Sequence, residues 1–271
     1  MLRTNLKLII KNHYLKRITI NKFIFTFILS FAVLTWGSHV PGSKNSGTDL
    51  ELTTRIKYVN KNWTTLFEAS VVNQFEEQQY RSILLGQYYR FHPNIRTGLF
   101  YKRQSGFRHD EDWVTDPVTE WKWENTNNRH EDLVILDLSP KLLLSFLPGE
   151  DWSFEFKTRF EHNFFNSDQN LRLMPTLTYH WILEEKPFLN FYIQQEQAIP
   201  LNYSSVKPNE EWLYFGMLYG LDSNWQLGMN YSQKTLSWKN TPEFEKSTGA
   251  TYTSSNTGSS AGLLVIYKIE K

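Results

Sequence analysis

Four charged residues are the first candidates for chemistry in this chain: Arg159, Glu161, Arg172 and Glu196. Each stands in a stretch where apolar and polar residues alternate, so the four would share one face of three successive extended strands, within reach of one another. Glu155 and Lys157 continue the same face. Interleaved guanidinium and carboxylate groups select solutes by charge where they border an open path. They can equally form a salt-bridge network that neutralises itself and fills the space between strands, and the mixed signs favour this second use.

Other chemistry finds thinner support. The seven histidines are His13, His39, His92, His109, His130, His162 and His180. A nucleophilic site needs a serine or similar group beside a base. His162, next to Glu161 and near Asp168, is the best-placed base, with a solvated loop edge as the plainer reading. His109-Asp-Glu-Asp112 with Asp116 could hold a divalent cation through oxygen ligands, or be an acidic loop. There is no phosphate loop, Gly-rich cradle or zinc spacing, so neither metal nor cofactor is expected, and no enzymatic activity. The absence of cysteine excludes a disulfide scaffold, a thiolate metal site and a lipid-anchored cysteine.

The element that must position the charges is a hairpin from Trp152 to Trp181. In its first strand Trp152, Phe154, Phe156 and Phe160 alternate with Ser153, Glu155, Lys157, Arg159 and Glu161. After the polar loop Asn163 to Gln169, Leu171, Leu173, Leu177, Tyr179 and Trp181 alternate with Arg172, Thr176, Thr178 and His180. One face is apolar and the other too charged for a core. A transmembrane β-barrel needs this pattern, with lipid outside and water inside, because only a closed sheet satisfies its backbone in hydrocarbon.

The same alternation recurs from Leu50 to Ile269. Outward positions such as Leu52, Phe67, Leu85, Leu99, Leu136, Phe191, Phe215, Leu227 and Val265 are uncharged, whereas the inward face collects charges of both signs. A soluble sandwich would show the reverse. Short turns at Asn60-Lys-Asn62, His92-Pro-Asn94, Pro148 to Asp151, Glu184 to Pro187 and Asp222-Ser-Asn224 alternate with longer loops, the longest being Gln104 to Arg129 and Ser237 to Gly258. Trp63, Trp152 and Trp225 begin strands after short turns, and Phe91 and Trp181 end them, which predicts an aromatic girdle at one rim. Pro140 and Pro175 should each mark a bulge or local break. Trp113, Trp121 and Trp123 in the long loop would pack within it, plug the lumen, or contact lipopolysaccharide or a sugar.

Eleven strands are legible. Bacterial single-chain barrels have an even number, so the expectation is twelve, within a range of ten to twelve, with the missing strand in residues 38–49 or the last loop. The mean hydropathy of −0.49 does not oppose this, since half of each strand faces water.

Met1 to Lys22 carries Arg3, Lys7, Lys11, Lys16, Arg17 and Lys22 with no acid, and Phe23 to Trp36 is apolar. This reads as a signal peptide over 1–37, followed by a linker over 38–49 and the barrel over 50–271. Cleavage after Gly37 would leave a net charge near −5, a poor partner for nucleic acid. The expected surroundings are the outer membrane of a Gram-negative bacterium, its lipid and lipopolysaccharide, and the barrel-assembly machinery.

The chain resembles a family of Gram-negative outer-membrane barrels designated only as a domain of unknown function. The resemblance rests on Trp63, on Leu85-Gly-Gln-Tyr-Tyr-Arg90 with Gly98-Leu-Phe-Tyr101, on Arg159 and Glu161, on Leu171-Arg-Leu173, on Glu196, and on Trp212 to Tyr231, over roughly residues 50 to 269. Trp212 stands where the family has an arginine. Membership implies an outer-membrane location and no particular activity. The expected role is a narrow channel or uptake protein for small solutes, with a structural or surface-interaction barrel second. A hydrolase ranks third, because no histidine stands in the His-x-Ser-Asn context of outer-membrane phospholipases or deacylases.

Overall fold

In a computed structural model, the described residues are 48–74, 78–105, 108–109, 124–125, 130–147, 151–183, 186–202, 206–239, 242–249, 251 and 253–271. The signal segment, residues 38–47 of the linker, the HDED stretch apart from the backbone of His109, and Trp113 and Trp121 with Trp123 lie outside them. In chain order the elements are β1 (Thr48–Asn60), β2 (Trp63–Gln74), β3 (Gln78–His92), β4 (Ile95–Ser105), β5 (Arg108–His109), β6 (Glu124–Asn125), β7 (His130–Leu143) and β8 (Trp152–Asn163). They continue with β9 (Gln169–Leu183), β10 (Lys186–Pro200), β11 (Glu210–Gly220), β12 (Trp225–Lys239), a short helix α1 (Pro242–Thr248) and β13 (Thr253–Glu270).

All strands except β5 and β6 form one closed barrel, in the order β1-β13-β12-β11-β10-β9-β8-β7-β4-β3-β2. The protein is thus all-β. The barrel closes with eleven strands rather than twelve, and the closure explains why no twelfth is needed. Ten antiparallel steps leave the first and last strands pointing the same way, and β1 pairs with β13 in parallel register from Thr48↔Ser259 to Val59↔Glu270. The supposed linker residues Thr48 and Asp49 are already part of that seam. Within the loop expected over Gln104 to Arg129, β4 runs on to Ser105, and β5 pairs with β6 as a separate two-stranded sheet. The supposed loop Ser237 to Gly258 is shortened at both ends by β12 and β13 and contains α1.

The two faces differ as the alternation requires. Leu52, Ile83, Leu85, Leu99, Leu136 and Phe91 are exposed on the outside, whereas Thr53, Ser82, Gln104, Asp137, Ser153 and Ser232 on the inside are buried. The outer face is not wholly free of charge. Arg103 and Asp132 pair across β4 and β7, with side chains 54% and 40% exposed, and Glu211 is exposed near the same long-loop rim. They lie beyond the apolar band, at strand ends that the alternation did not reach. At the short-turn rim the outer face carries three cross-strand Trp–Tyr contacts: Trp63–Tyr89 (4.7 Å), Trp152–Tyr179 (5.0 Å) and Trp225–Tyr267 (4.6 Å between ring centroids). Phe91 and Trp181 are exposed on the same rim.

Both prolines interrupt the ladder without shifting it. β7 pairs with β8 at Leu138↔Thr158 and again at Lys141↔Glu155, and β9 pairs with β10 at Thr176↔Gln194 and again at Leu173↔Gln197. Pro175 opposes Phe156, and Pro140 falls in the gap opposite the same residue, so one row loses donors on both sides of β8.

Following the pairings once round returns to β1 displaced by roughly 14 residues, which for this strand number gives a tilt of about 40° and a radius of about 11 Å at Cα. Inward side chains therefore compete for room. Glycine supplies it: an added Cβ would lie 2.4 Å from the Phe100 ring at Gly86 and Gly98, and 2.2 Å from the Tyr192 ring at Gly216. Gly86 opposes Phe100, Gly98 opposes Tyr88 and Gly216 opposes Tyr192, so each large ring lies flat on the bare backbone across from it. Replacing Gly216 by Ala should cost about 1–3 kcal/mol by forcing Tyr192 off the wall. In a Tyr192→Ala background the same change should cost under about 0.5 kcal/mol; equal costs in urea unfolding of the two backgrounds would exclude this packing.

Candidate functional site

The inward charges of β7 to β11 form one connected network. Arg159 donates from Nε and Nη2 to the two oxygens of Asp137 at 2.8 and 3.0 Å, a bidentate fork, and Tyr88 donates its hydroxyl to the same carboxylate at 2.9 Å. Arg159 also lies 3.8 Å from Glu161. Arg172 donates from Nε to Glu161 (2.8 Å) and from Nη1 to Glu196 (2.7 Å) and Glu210 (3.2 Å). Trp212 Nε1 donates to Glu210 at 3.3 Å, and Lys234 stands 4.6 Å over the Trp212 ring. Trp212 thus joins the network as a donor.

Register explains the assembly. Arg159 and Arg172 are direct partners across β8 and β9, as are Asp137 and Arg159 across β7 and β8. Like charges placed opposite one another repel, and here Asp137, Glu161, Glu196 and Glu210 surround the two guanidinium groups. Lys102 and Lys157 lie within electrostatic reach of Glu161 and Asp137 respectively. Four carboxylates and five cations make this patch, which runs from mid-lumen at Asp137 to the long-loop end at Glu210, nearly neutral. Arg159 and Arg172 side chains retain only 19% exposure, so breaking a fork leaves a guanidinium largely out of water.

Of the six charges singled out from the sequence, Arg159, Glu161, Arg172 and Glu196 meet, whereas Glu155 instead accepts from Arg96 at 2.8 Å. Lys157 opposes Met174 in the register. Asp137 and Glu210 were not among the six. Asp137 had the inward phase but needed the strand offset across Pro140 to be matched with Arg159, and Glu210 lies at the start of β11, in what reads as loop. Beside this network Leu66, Leu84, Tyr88, Phe100, Leu133 and Ile135 form a buried apolar cluster on the inward face, which the strand alternation did not foreshadow.

His162 does not join Glu161. Adjacent strand residues point to opposite faces, and His162 meets the Phe164 ring edge-on, 5.0 Å away, while Asp168 accepts from Asn166. A different serine and histidine do meet. His180 Nδ1 faces Asn190 Oδ1 at 2.6 Å; that oxygen can only accept, so Nδ1 carries the proton and Nε2 is left to accept from Ser153 Oγ at 2.8 Å. The connectivity is that of a nucleophile, base and orienting amide. Ser153 is only 2% exposed, however, so no acyl group reaches its oxygen, and the three residues join β8, β9 and β10 as a structural clasp. Among the described residues no group of three His, Cys, Asp or Glu is arranged to hold a metal ion.

The fold and lining define a closed eleven-stranded β-barrel with an apolar exterior and a charged, hydrogen-bonded interior. No known protein family, curated protein or solved structure matches the chain.

Replacing Asp137 by Ala should cost about 3 kcal/mol, because a largely buried guanidinium loses its fork, and a urea-midpoint change under a third of that would refute the network's role. Ser153→Ala should cost about 1 kcal/mol. A fluorophosphonate serine probe should fail to label the native chain at Ser153; labelling there would reinstate a nucleophile.

Proposed function

We propose that the chain is an outer-membrane barrel whose lumen forms a narrow path for small solutes. The observation that carries this reading is the inverted polarity of a closed sheet: large apolar side chains are exposed all round its outside, and charged groups line the inside, some of them with solvent contact, 38% for Arg96 and 30% for Arg55. With strands rising 3.3 Å per residue at the tilt given above, the outward apolar rows span about 20–25 Å along the axis, which suits a hydrocarbon layer. A rim of tryptophan and tyrosine suits a membrane interface. The basic, then apolar N-terminal segment supports export through a cleaved signal, with lipid, lipopolysaccharide and the barrel-assembly machinery as partners. The resemblance to outer-membrane barrels of unknown function points the same way.

A radius of about 11 Å leaves a path only a few ångströms wide once arginines project from the wall. The paired charges at mid-height then act as a sieve of fixed shape rather than as a trap for ions. One observation favours the alternative of a sealed structural barrel: the buried apolar cluster around Phe100 and Ile135 fills part of the lumen.

Two measurements decide. Protein from purified outer membranes should migrate faster on gels when unboiled than when boiled; soluble protein with no shift would defeat the membrane reading. Refolded protein in planar bilayers should give small discrete currents, altered in conductance or selectivity by replacing Arg159 and Glu161 together with glutamine. Folded barrels that pass no current would establish the sealed alternative.

A further inference from the structure

The lumen is not electrically uniform from rim to rim. Between mid-height and the long-loop rim the opposed Arg159 and Arg172 are surrounded by four carboxylates. At the short-turn rim two more like-charge pairs face each other on the inward side, Lys57↔Lys268 across the parallel seam and Arg90↔Arg96 across β3 and β4. Their compensation is far poorer. Arg96 holds Glu155, and Lys268 holds Glu270, whose side chain is 60% exposed. Among the described residues no carboxylate lies within ion-pair distance of Lys57 or Arg90; Glu68, the carboxylate that acts on Lys57, is already engaged by Arg55. Lys57 is within electrostatic reach of Arg55, Arg96 and Lys268, and Lys141 of Arg96 and Arg90 as well as of Glu155, its partner across β7 and β8, which Arg96 already engages, so these cations act as one group on the arc β13, β1, β3, β4 and β7. All retain solvent contact, Arg90 and Lys141 being exposed.

Like charges held directly opposite one another cost stability, and the apolar barrel wall focuses their field into the mouth. An oxyanion seated among them would supply the charge that carboxylates supply at mid-height, and rings of Lys and Arg are the ordinary means of selecting anions. We infer that the short-turn mouth is a binding site for small oxyanions, phosphate or carboxylate in character, formed by Lys57 and Arg90 with Arg96, Lys141 and Lys268. This names the solute class for the channel reading, on which the transport role rests, while the site itself does not depend on it. The residues point inward, behind the wall, so the ligand comes from solution and not from a lipid headgroup.

The test uses the full chain refolded in a phosphate-free detergent, with inorganic phosphate as probe. Thermal unfolding of the wild type should shift upward with millimolar phosphate relative to sodium chloride of equal ionic strength. A Lys57→Gln, Arg90→Gln double variant should start from a higher midpoint in chloride, through relief of repulsion, and should lose at least ten-fold in phosphate affinity by titration calorimetry. A wild type that responds to phosphate no more than to chloride, or a variant that binds phosphate as tightly as wild type, overturns the site. In bilayers the reversal potential should favour anions in wild type and lose that preference in the variant. Phosphate binding without any current would leave the site standing and remove only the channel.

Discussion

Every strand of the barrel is paired along both edges, and that constraint determines the rest. In the proposed membrane setting a backbone N–H or C=O left unpaired in hydrocarbon would cost several kcal/mol, which closure avoids, and eleven strands joined in sequence by antiparallel pairs close only through a parallel seam between β1 and β13. Closure at this strand number and shear sets a narrow radius. The narrow radius in turn decides which residues can point inward. Rings are admitted where the opposite residue is glycine, as for Tyr88 over Gly98, and long charged groups where a partner of opposite sign lies one strand away, as for Arg159 and Asp137.

The interior is thereby divided into zones with different energetics. Around Phe100 and Ile135 it is packed and apolar, like an ordinary core. Around Arg172 it is polar but saturated: three carboxylates converge on one guanidinium, and removing any one of them costs more than the pair contributes, since the remaining charges were arranged for it. At the short-turn mouth the cations outnumber their partners. A self-neutral network holds shape; an uncompensated cluster holds potential. In the proposed channel the two features would serve different ends within one lumen, the first limiting width and the second favouring a sign of charge.

Much of this was legible in the sequence because a strand's period of two leaves a direct trace. The outward rows at Leu50–Tyr58, Trp63–Val71 and Leu213–Tyr219, the turns and the rim tryptophans follow from alternation alone. What alternation does not carry is the offset between strands. Asp137 was visibly inward, yet only the register across Pro140 places it against Arg159. The Ser153, His180 and Asn190 contact is of the same kind, three unremarkable polar positions on successive strands made neighbours by hairpin geometry. The HxSN context sought in the sequence would have placed such residues close along the chain, whereas a barrel wall brings them together from positions up to 37 apart in numbering. Strand ends were the other loss. Ser/Thr-rich segments such as Thr253–Ser260 carry no apolar rhythm, so the first part of β13 reads as loop until its partner β12 is in place, whereas Ala261 to Ile269 alternates visibly.

The parity argument for a twelfth strand shows how a sound rule can mislead. It assumed that both chain ends lie on the same rim, which follows from an even number of strands joined by an odd number of antiparallel steps. The turns contradicted that premise: five short connections fall on one rim together with the end of β13, and β1 begins on the other. An antiparallel seam would then have required a further strand, but a parallel seam requires none, because β1 and β13 already run in the same direction. Parallel pairs are slightly less stable per residue than antiparallel ones, and the length of this one, twelve paired residues from Thr48 to Val59, offsets that weakness. The seam also places Lys57 opposite Lys268. The Lys57–Lys268 part of the charge at the short-turn mouth is therefore a direct consequence of the parallel seam, while Arg90 and Arg96 meet across an ordinary antiparallel pair.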